Sequence, residues 1–235
     1  MTRVVRGVGW LLVVAGAVVG LYVVYLVWFT GFETAQGQAS LKEQFEAAEV
    51  TPSDLTARPA VGDAYAVIWF ERDGEMILTD EVLYVVEGTS LPDLRLGPGH
   101  YVDSPAPGEE GNVGIAGHRT TYGAPFGELA ELQEGDTIHV LDRAGDEWVY
   151  AYVEQRIVHP TDVWVVEEQD PLDLDAPMIT LTTCHPRFSA AQRLIAWGEL
   201  IGEPKPSGDD EGSIQAAEDR EAPVEGSVDV LPGDG

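Results

Sequence analysis

Between Arg6 and Glu33 the chain carries no charged residue, and the stretch from Val8 to Phe29 is almost wholly apolar. Wound as a helix at ~1.5 Å per residue, that stretch rises about 33 Å, enough to cross the hydrocarbon core of a bilayer. Arg3 and Arg6 precede it, and Trp28 and Phe29 close it where an interfacial aromatic belt belongs. This arrangement predicts a cytoplasmic N-terminus with everything beyond the helix outside the membrane. A cleaved signal peptide fits less well, because its apolar region normally runs only ~7–15 residues. Residues 1–32 are thus expected to form a short cytoplasmic end and one transmembrane helix. Residues 33–58 turn polar, with Leu41, Phe45 and Ala48 on a common helical face, and are expected to form an extracytoplasmic stalk.

From Val61 the pattern changes to short apolar runs separated by turn residues. Tyr65 to Phe70, Glu81 to Val86, Val113 to Ala116, Thr137 to Leu141, Glu147 to Val158, Met178 to Thr183 and Leu194 to Leu200 have the composition of strands. Asp73-Gly74, Pro98-Gly99, Glu134-Gly135-Asp136 and Ala144-Gly145-Asp146 punctuate them, and Gly127 to Leu132 suits one helical turn. Many short strands at this spacing predict a mainly all-β domain, an antiparallel barrel or sandwich, over residues 59–202. Beyond Gly202 apolar periodicity stops. Residues 203–235 are rich in Gly, Pro, Ser, Asp and Glu, bury too little apolar surface to offset ordering, and are expected to be a disordered acidic tail.

Charge narrows the choice of partners. The formal net charge is −28, of which −8 lies in residues 203–235. A nucleic-acid binder needs clustered Lys and Arg to displace counterions, so no nucleic-acid partner is expected. Cys184 is the only cysteine, which excludes an intramolecular disulfide and a Cys-rich metal site.

Two segments can carry chemistry. One is Ile115-Ala116-Gly117-His118-Arg119-Thr120-Thr121-Tyr122-Gly123, an apolar strand that ends in Gly and His. The other is Thr180-Leu181-Thr182-Thr183-Cys184-His185-Pro186, a β-branched strand that ends at the lone Cys. Strand alternation sets Cys184 with Thr182 and Thr180, away from Ile179 and Leu181. A thiol at a strand end and off the apolar face is poorly explained as core filler. Arg193 opens the next apolar run, and a hairpin between the two would set it opposite Cys184. A cation there favours thiolate and supplies fork donors for an oxyanion, while a His protonates the leaving amine.

Together, the Gly117–Gly123 segment, Thr-Leu-Thr-Thr-Cys at 180–184 and Arg193 resemble the sortases, specifically the class E type of actinobacteria. The similarity extends from about Gly62 to Leu200 and includes Val86-Glu87-Gly88-Thr89 and Gly97-Pro98-Gly99-His100-Tyr101. The resemblance implies an eight-stranded β-barrel. It makes Cys184 the nucleophile, His118 the general acid/base and Arg193 the oxyanion or substrate-positioning cation. Tyr122 becomes a reader of the sorting signal, with Thr182 and Thr183 as further substrate-binding candidates. The implied reaction is cleavage between Thr and Gly of a Leu-Ala-x-Thr-Gly or Leu-Pro-x-Thr-Gly signal on surface proteins, followed by transfer to an amine of a lipid-II-like cell-wall precursor. No cofactor is implied, and calcium activation through loop carboxylates stays open.

Other assignments compete. His185 reads as a loop residue facing away from Cys184. Arg187, inside the loop, is the rival to Arg193. His100, His139 and His159 read as surface or satisfied core histidines, and Trp69, Trp148, Trp164 and Trp197 as core. The alternatives for function are a pilus-polymerising sortase, disfavoured by an acidic tail where a second membrane helix would stand, and a membrane-tethered peptide-binding module without catalysis. A zinc site built from Cys184, His118 and His185 matches no usual spacing.

Overall fold

The computed structural model describes residues 2–25, 30–47, 58–167 and 170–206. Trp28, Phe29, Ala48 and residues 207–235 of the expected tail lie outside them. Helix α1 spans Thr2–Val24, and its Arg3–Val24 portion is long and apolar enough to cross a membrane. Helix α2 spans Thr30–Glu46. The strands are β1 (Ala64–Arg72), β2 (Glu75–Ile77), β3 (Leu83–Glu87), β4 (Gly99–His100), β5 (Asn112–Ala116), β6 (Thr137–Leu141), β7 (Asp146–Val158), β8 (Met178–His185), β9 (Gln192–Leu200) and β10 (Lys205–Pro206). Two short helices, α3 (Leu91–Leu96) and α4 (Trp164–Glu167), and a 3₁₀ turn at Leu129–Glu131 complete the description.

Eight strands close into a barrel in the order β7-β6-β1-β3-β4-β5-β8-β9, with β9 returning to pair β7. The pairs β3–β4 and β5–β8 are parallel and the other barrel pairs antiparallel. β2 and β10 are additions, hairpinned to β1 and paired with β7. Closure leaves the barrel no open edge, as the expected all-β barrel requires.

The interior is packed by Ile68, Phe70, Val85, Ile115, Ile138, Val140, Ile179, Leu181, Leu194 and Ala196, with Phe126 and Leu129 entering from loops. Alternation along β1 turns Val67 and Trp69 the other way, and they are buried too. Their cover is α2: Leu41, 1% exposed, packs with Val67, Trp69, Tyr84, Val86 and Leu141. The segment expected as a stalk therefore includes a helix docked on the barrel. A second outer patch, Met178, Ile195 and Trp197, is covered by Val165 of α4 with Trp164 and Leu172. Each outer patch explains a nearly continuous apolar run where a one-sided sheet would alternate.

Two of the isolated histidines have side-chain partners. His100 is fully buried, with Nδ1 2.9 Å from Glu87 Oε2 and its ring stacked on Tyr65 at 3.9 Å. His139 lies 2.8 Å from Glu147 Oε1 and stacks on Trp69, while His159 is exposed.

Candidate active site

The site lies at one end of three neighbouring strands. In the parallel pair, Ala116 of β5 stands beside Thr182 of β8. Gly117 N donates to Thr182 O (3.0 Å) and Thr183 Oγ1 donates to Gly117 O (2.7 Å), so the pairing continues past the strand. Carried two residues past the end of β5, the same register would bring His118 level with Cys184. On the other side of β8, Cys184 is the direct partner of Arg193 on β9. Cys184 and Arg193 are therefore cross-strand neighbours, and the Gly117 bonds to Thr182 and Thr183 bring His118, one residue on, to the same end of β8. They share the outer face: Ile115, Leu181 and Leu194 point into the barrel, and a Cβ on Gly117 would strike the Phe126 ring at 2.6 Å.

Cys184 is half-buried. Arg193 is held at the turn, its Nη1 donating to Ala190 O and Gln192 O, each at 3.0 Å. Its Nε and Nη2 remain as the fork that can face a substrate oxygen. His118 Nε2 is shielded from solvent and has no hydrogen-bond partner among the described residues. Burial first, and then the positive Arg95, hold the His118 imidazole below its ordinary value, favouring the neutral ring.

Tyr122 stands over His118, ring centroids 4.9 Å apart, with the Arg95 guanidinium 5.5 Å from the Tyr122 ring. The backbone here is left-handed at three successive residues, Tyr122 (φ 52°), Gly123 (φ 71°) and Ala124 (φ 47°). Left-handed geometry at a side-chain-bearing residue costs roughly 1–2 kcal/mol, so surrounding contacts must hold this loop. Phe126 N donating to His118 O (3.0 Å) and Gly127 N donating to Ala124 O (2.8 Å) do part of that.

The other sequence candidates separate clearly. Thr182 Oγ1 lies 3.0 Å from Tyr101 Oη, and both Thr182 and Thr183 are buried, so their hydroxyls engage the protein itself. His185 extends β8 rather than the loop, opposite Gln192. Arg187 is turned to the 3₁₀ side, its Nη2 donating to Gly127 O (2.8 Å) and pairing with Glu128 (2.7 Å). Tyr101 and Asn112 line a separate cleft of about 690 Å³, together with Glu109, Val163, Val166 and Glu167. Among the described residues, no three or more His, Cys, Asp or Glu are grouped to hold a metal ion.

A sequence profile of the sortase domain matches residues 78–201, more than half of the chain. The chain belongs to the sortase family. Sortase SrtE2 of Streptomyces coelicolor is 31% identical over 222 residues, covering 88% of this chain and 86% of that protein. Among solved structures, sortase E of Streptomyces avermitilis is 31% identical with a TM-score of 0.55, covering 64% of this chain and 97% of the other. Sortase E1 of Streptomyces coelicolor, solved with a tripeptide in its active site, is 30% identical with a TM-score of 0.54, covering 63% and 94%. The class E resemblance, the barrel and the assignment as a cysteine transpeptidase hold together.

In this sortase one residue near the site had no role assigned from sequence. Arg119, 7% exposed, donates from Nη1 to Cys184 O (3.3 Å) and to His185 Nδ1 (2.8 Å). Arginine can only donate, so His185 Nδ1 accepts, which removes that nitrogen as a base toward Cys184. Burial and the neighbouring Arg187 hold the guanidinium below the ordinary arginine value, while Glu128 opposes them. The available sequence signal was adjacency: a cation after His118 alternates to the face opposite it, where His185 alternates from Cys184. Replacing Arg119 by Ala is expected to lower kcat about 10- to 100-fold with KM little changed, because the backbone carrying the thiol loses its brace. Steady-state kinetics beside Arg119→Lys, which keeps one donor and restores part of the rate, checks this.

Proposed function

We propose that this sortase is a membrane-anchored transpeptidase in which Cys184 is the nucleophile, His118 the acid and base, and Arg193 the oxyanion donor. The observation that supports the reading is the cross-strand pairing of Cys184 with Arg193 at the end of β8 to which Gly117, just before His118, is hydrogen-bonded. The Cys184 thiolate attacks the carbonyl between Thr and Gly of the signal, forming a C–S bond. The oxyanion sits against the Arg193 fork. As the C–N bond breaks, protonated His118 gives its proton to the departing Gly amine. The acceptor amine then attacks the thioester, neutral His118 takes its proton, and the C–S bond breaks to return the thiolate. Atoms and charge balance with no cofactor in the cycle.

The signal is of the Leu-Ala-x-Thr-Gly or Leu-Pro-x-Thr-Gly type, and Tyr122, half-buried with its ring beside His118, reads the residue after Leu. The acceptor is an amine of a lipid-II-like wall precursor, and the substrates are surface proteins that carry the signal. The tripeptide in the Streptomyces coelicolor sortase E1 active site supports peptide occupancy on this wall. The apolar α1 helix supports anchoring, with Arg3 and Arg6 cytoplasmic and the barrel outside. The test is to offer both peptides with a small amine and measure Thr-linked product by mass spectrometry. Product from one or both supports the reading and ranks Ala against Pro. Turnover of neither, where a known sortase succeeds, removes it.

A further inference from the structure

Helix α2 begins at Thr30, soon after the apolar helix, and its first turns meet the loop that carries Tyr122. Tyr122 N donates to Thr30 Oγ1 at 3.2 Å, and Thr34 Oγ1 donates to Arg95 O at 2.8 Å. Glu33 Oε1 stands 3.7 Å from Arg95 Nη1, and Arg95 in turn lies over the Tyr122 ring. Contact therefore runs from α2 through Arg95 and Tyr122 to His118.

The docking that supports this contact is firm. Gln38 Nε2 donates to Tyr84 O (2.8 Å) and Leu96 O (2.9 Å), while its Oε1 accepts from Tyr84 N (2.8 Å). A Cβ on Gly37 would lie 2.8 Å from Leu96 Cα, and one on Gly97 would lie 2.1 Å from Gln38 Nε2, so α2 and α3 meet at a distance only glycine allows. Thr30 and Thr34 are 4% and 5% exposed. The Glu33–Arg95 pair is about half exposed and contributes little alone. The buried threonines and Gln38 thus set the geometry, and the ion pair orients the guanidinium.

The loop needs such support. Its left-handed run at Tyr122, Gly123 and Ala124 is a conformation a free loop would leave, and Thr30 accepts the amide at its first strained residue. Thr34 Cγ2 would lie 3.3 Å from a Cβ on Gly123, so α2 covers the second.

We propose that α2 is a positioning element of the site, in which Thr30 and Glu33 hold Tyr122 and Arg95 in place over His118. The helix leaving the membrane thereby becomes part of the wall that reads the sorting signal. This inference rests on the reading of His118 and Tyr122 given above.

The test uses the full chain in lipid nanodiscs, with Thr30→Val, Thr30→Ser and, as a control at the exposed far end of α2, Glu46→Gln. Thr30→Val keeps the shape of the side chain and removes the acceptor. It is expected to raise KM for the signal peptide about three- to tenfold, the range set by one hydrogen bond, with kcat changed less. Amide hydrogen exchange at Tyr122 is expected to accelerate, while Thr30→Ser and Glu46→Gln behave as the parent. An active parent with unchanged KM in Thr30→Val overturns the inference, whether or not exchange at Tyr122 quickens. A parent that makes no Thr-linked product overturns the functional reading instead, so the two failures are distinct.

Discussion

Cys184→Ala is expected to fold, to keep its thermal transition, and to lose at least about 10⁴-fold in transpeptidation rate, as removal of a covalent nucleophile does. The chain has no second cysteine to substitute for it. The thiol is half-buried at the strand end, outside the packed interior, so deleting its sulfur removes chemistry and leaves the core intact. The pairing of β8 with β9 is made by backbone, and the opposing Arg193 keeps its own bonds to Ala190 and Gln192. Cys184→Ser is expected to fare little better, because a serine hydroxyl is far less acidic than a thiol and a weaker nucleophile. Product formation by chromatography, beside a melting curve for each variant, separates lost chemistry from lost fold.

His118→Asn is expected to lower kcat/KM by about 10²- to 10⁴-fold, the range of a positioned acid and base. Asn keeps a polar side chain of similar reach but cannot carry the proton from one amine to the next. The groups beside His118 are Tyr122 from its own loop and Arg95 from α3 with Glu33 of α2 behind it, while Cys184 and Arg193 sit at the neighbouring ends of β8 and β9. Because burial and Arg95 both disfavour the imidazolium, His118 holds its proton less well than the ordinary histidine at 6.5. The limb of the pH profile that reports His118 therefore lies to the acid side of that value. Arg95→Gln removes the nearby positive charge and is expected to move this limb to higher pH. A pH series of kcat/KM for the parent and for Arg95→Gln measures the sign directly.

Much of this architecture was legible in the residues. Thr137 to Leu141 and Met178 to Thr183 announce themselves as strands by β-branched content, and both form as expected. The order Thr-Leu-Thr-Thr-Cys, Arg193 predicted a hairpin with Arg193 opposite Cys184, and the register pairs the two. What escaped is local or long-range. β4 is only Gly99–His100, too short for any periodicity, and its Pro98-Gly99 lead read as a turn although it completes the barrel between β3 and β5. α3 carried a readable start, Ser90-Leu91-Pro92-Asp93, where Ser90 N donates to Asp93 Oδ2 at 2.9 Å, but six residues give no helical period. The docking of α2 could not be read because its polar Gln38 makes the decisive contacts with backbone far along the chain, at Tyr84 and Leu96. Likewise Arg119 meets Cys184 and His185 only once β5 lies parallel to β8.

The central claim is a covalent step at Cys184, and the most direct measurement is intact-mass analysis of the full chain after brief mixing with a signal peptide in the absence of amine. The predicted result is an adduct of the peptide through its Thr, located on Cys184 by fragmentation, absent in Cys184→Ala and discharged when a small amine is added. A peptide cleaved or bound with no adduct on Cys184, or an adduct that amine does not discharge, would contradict the account.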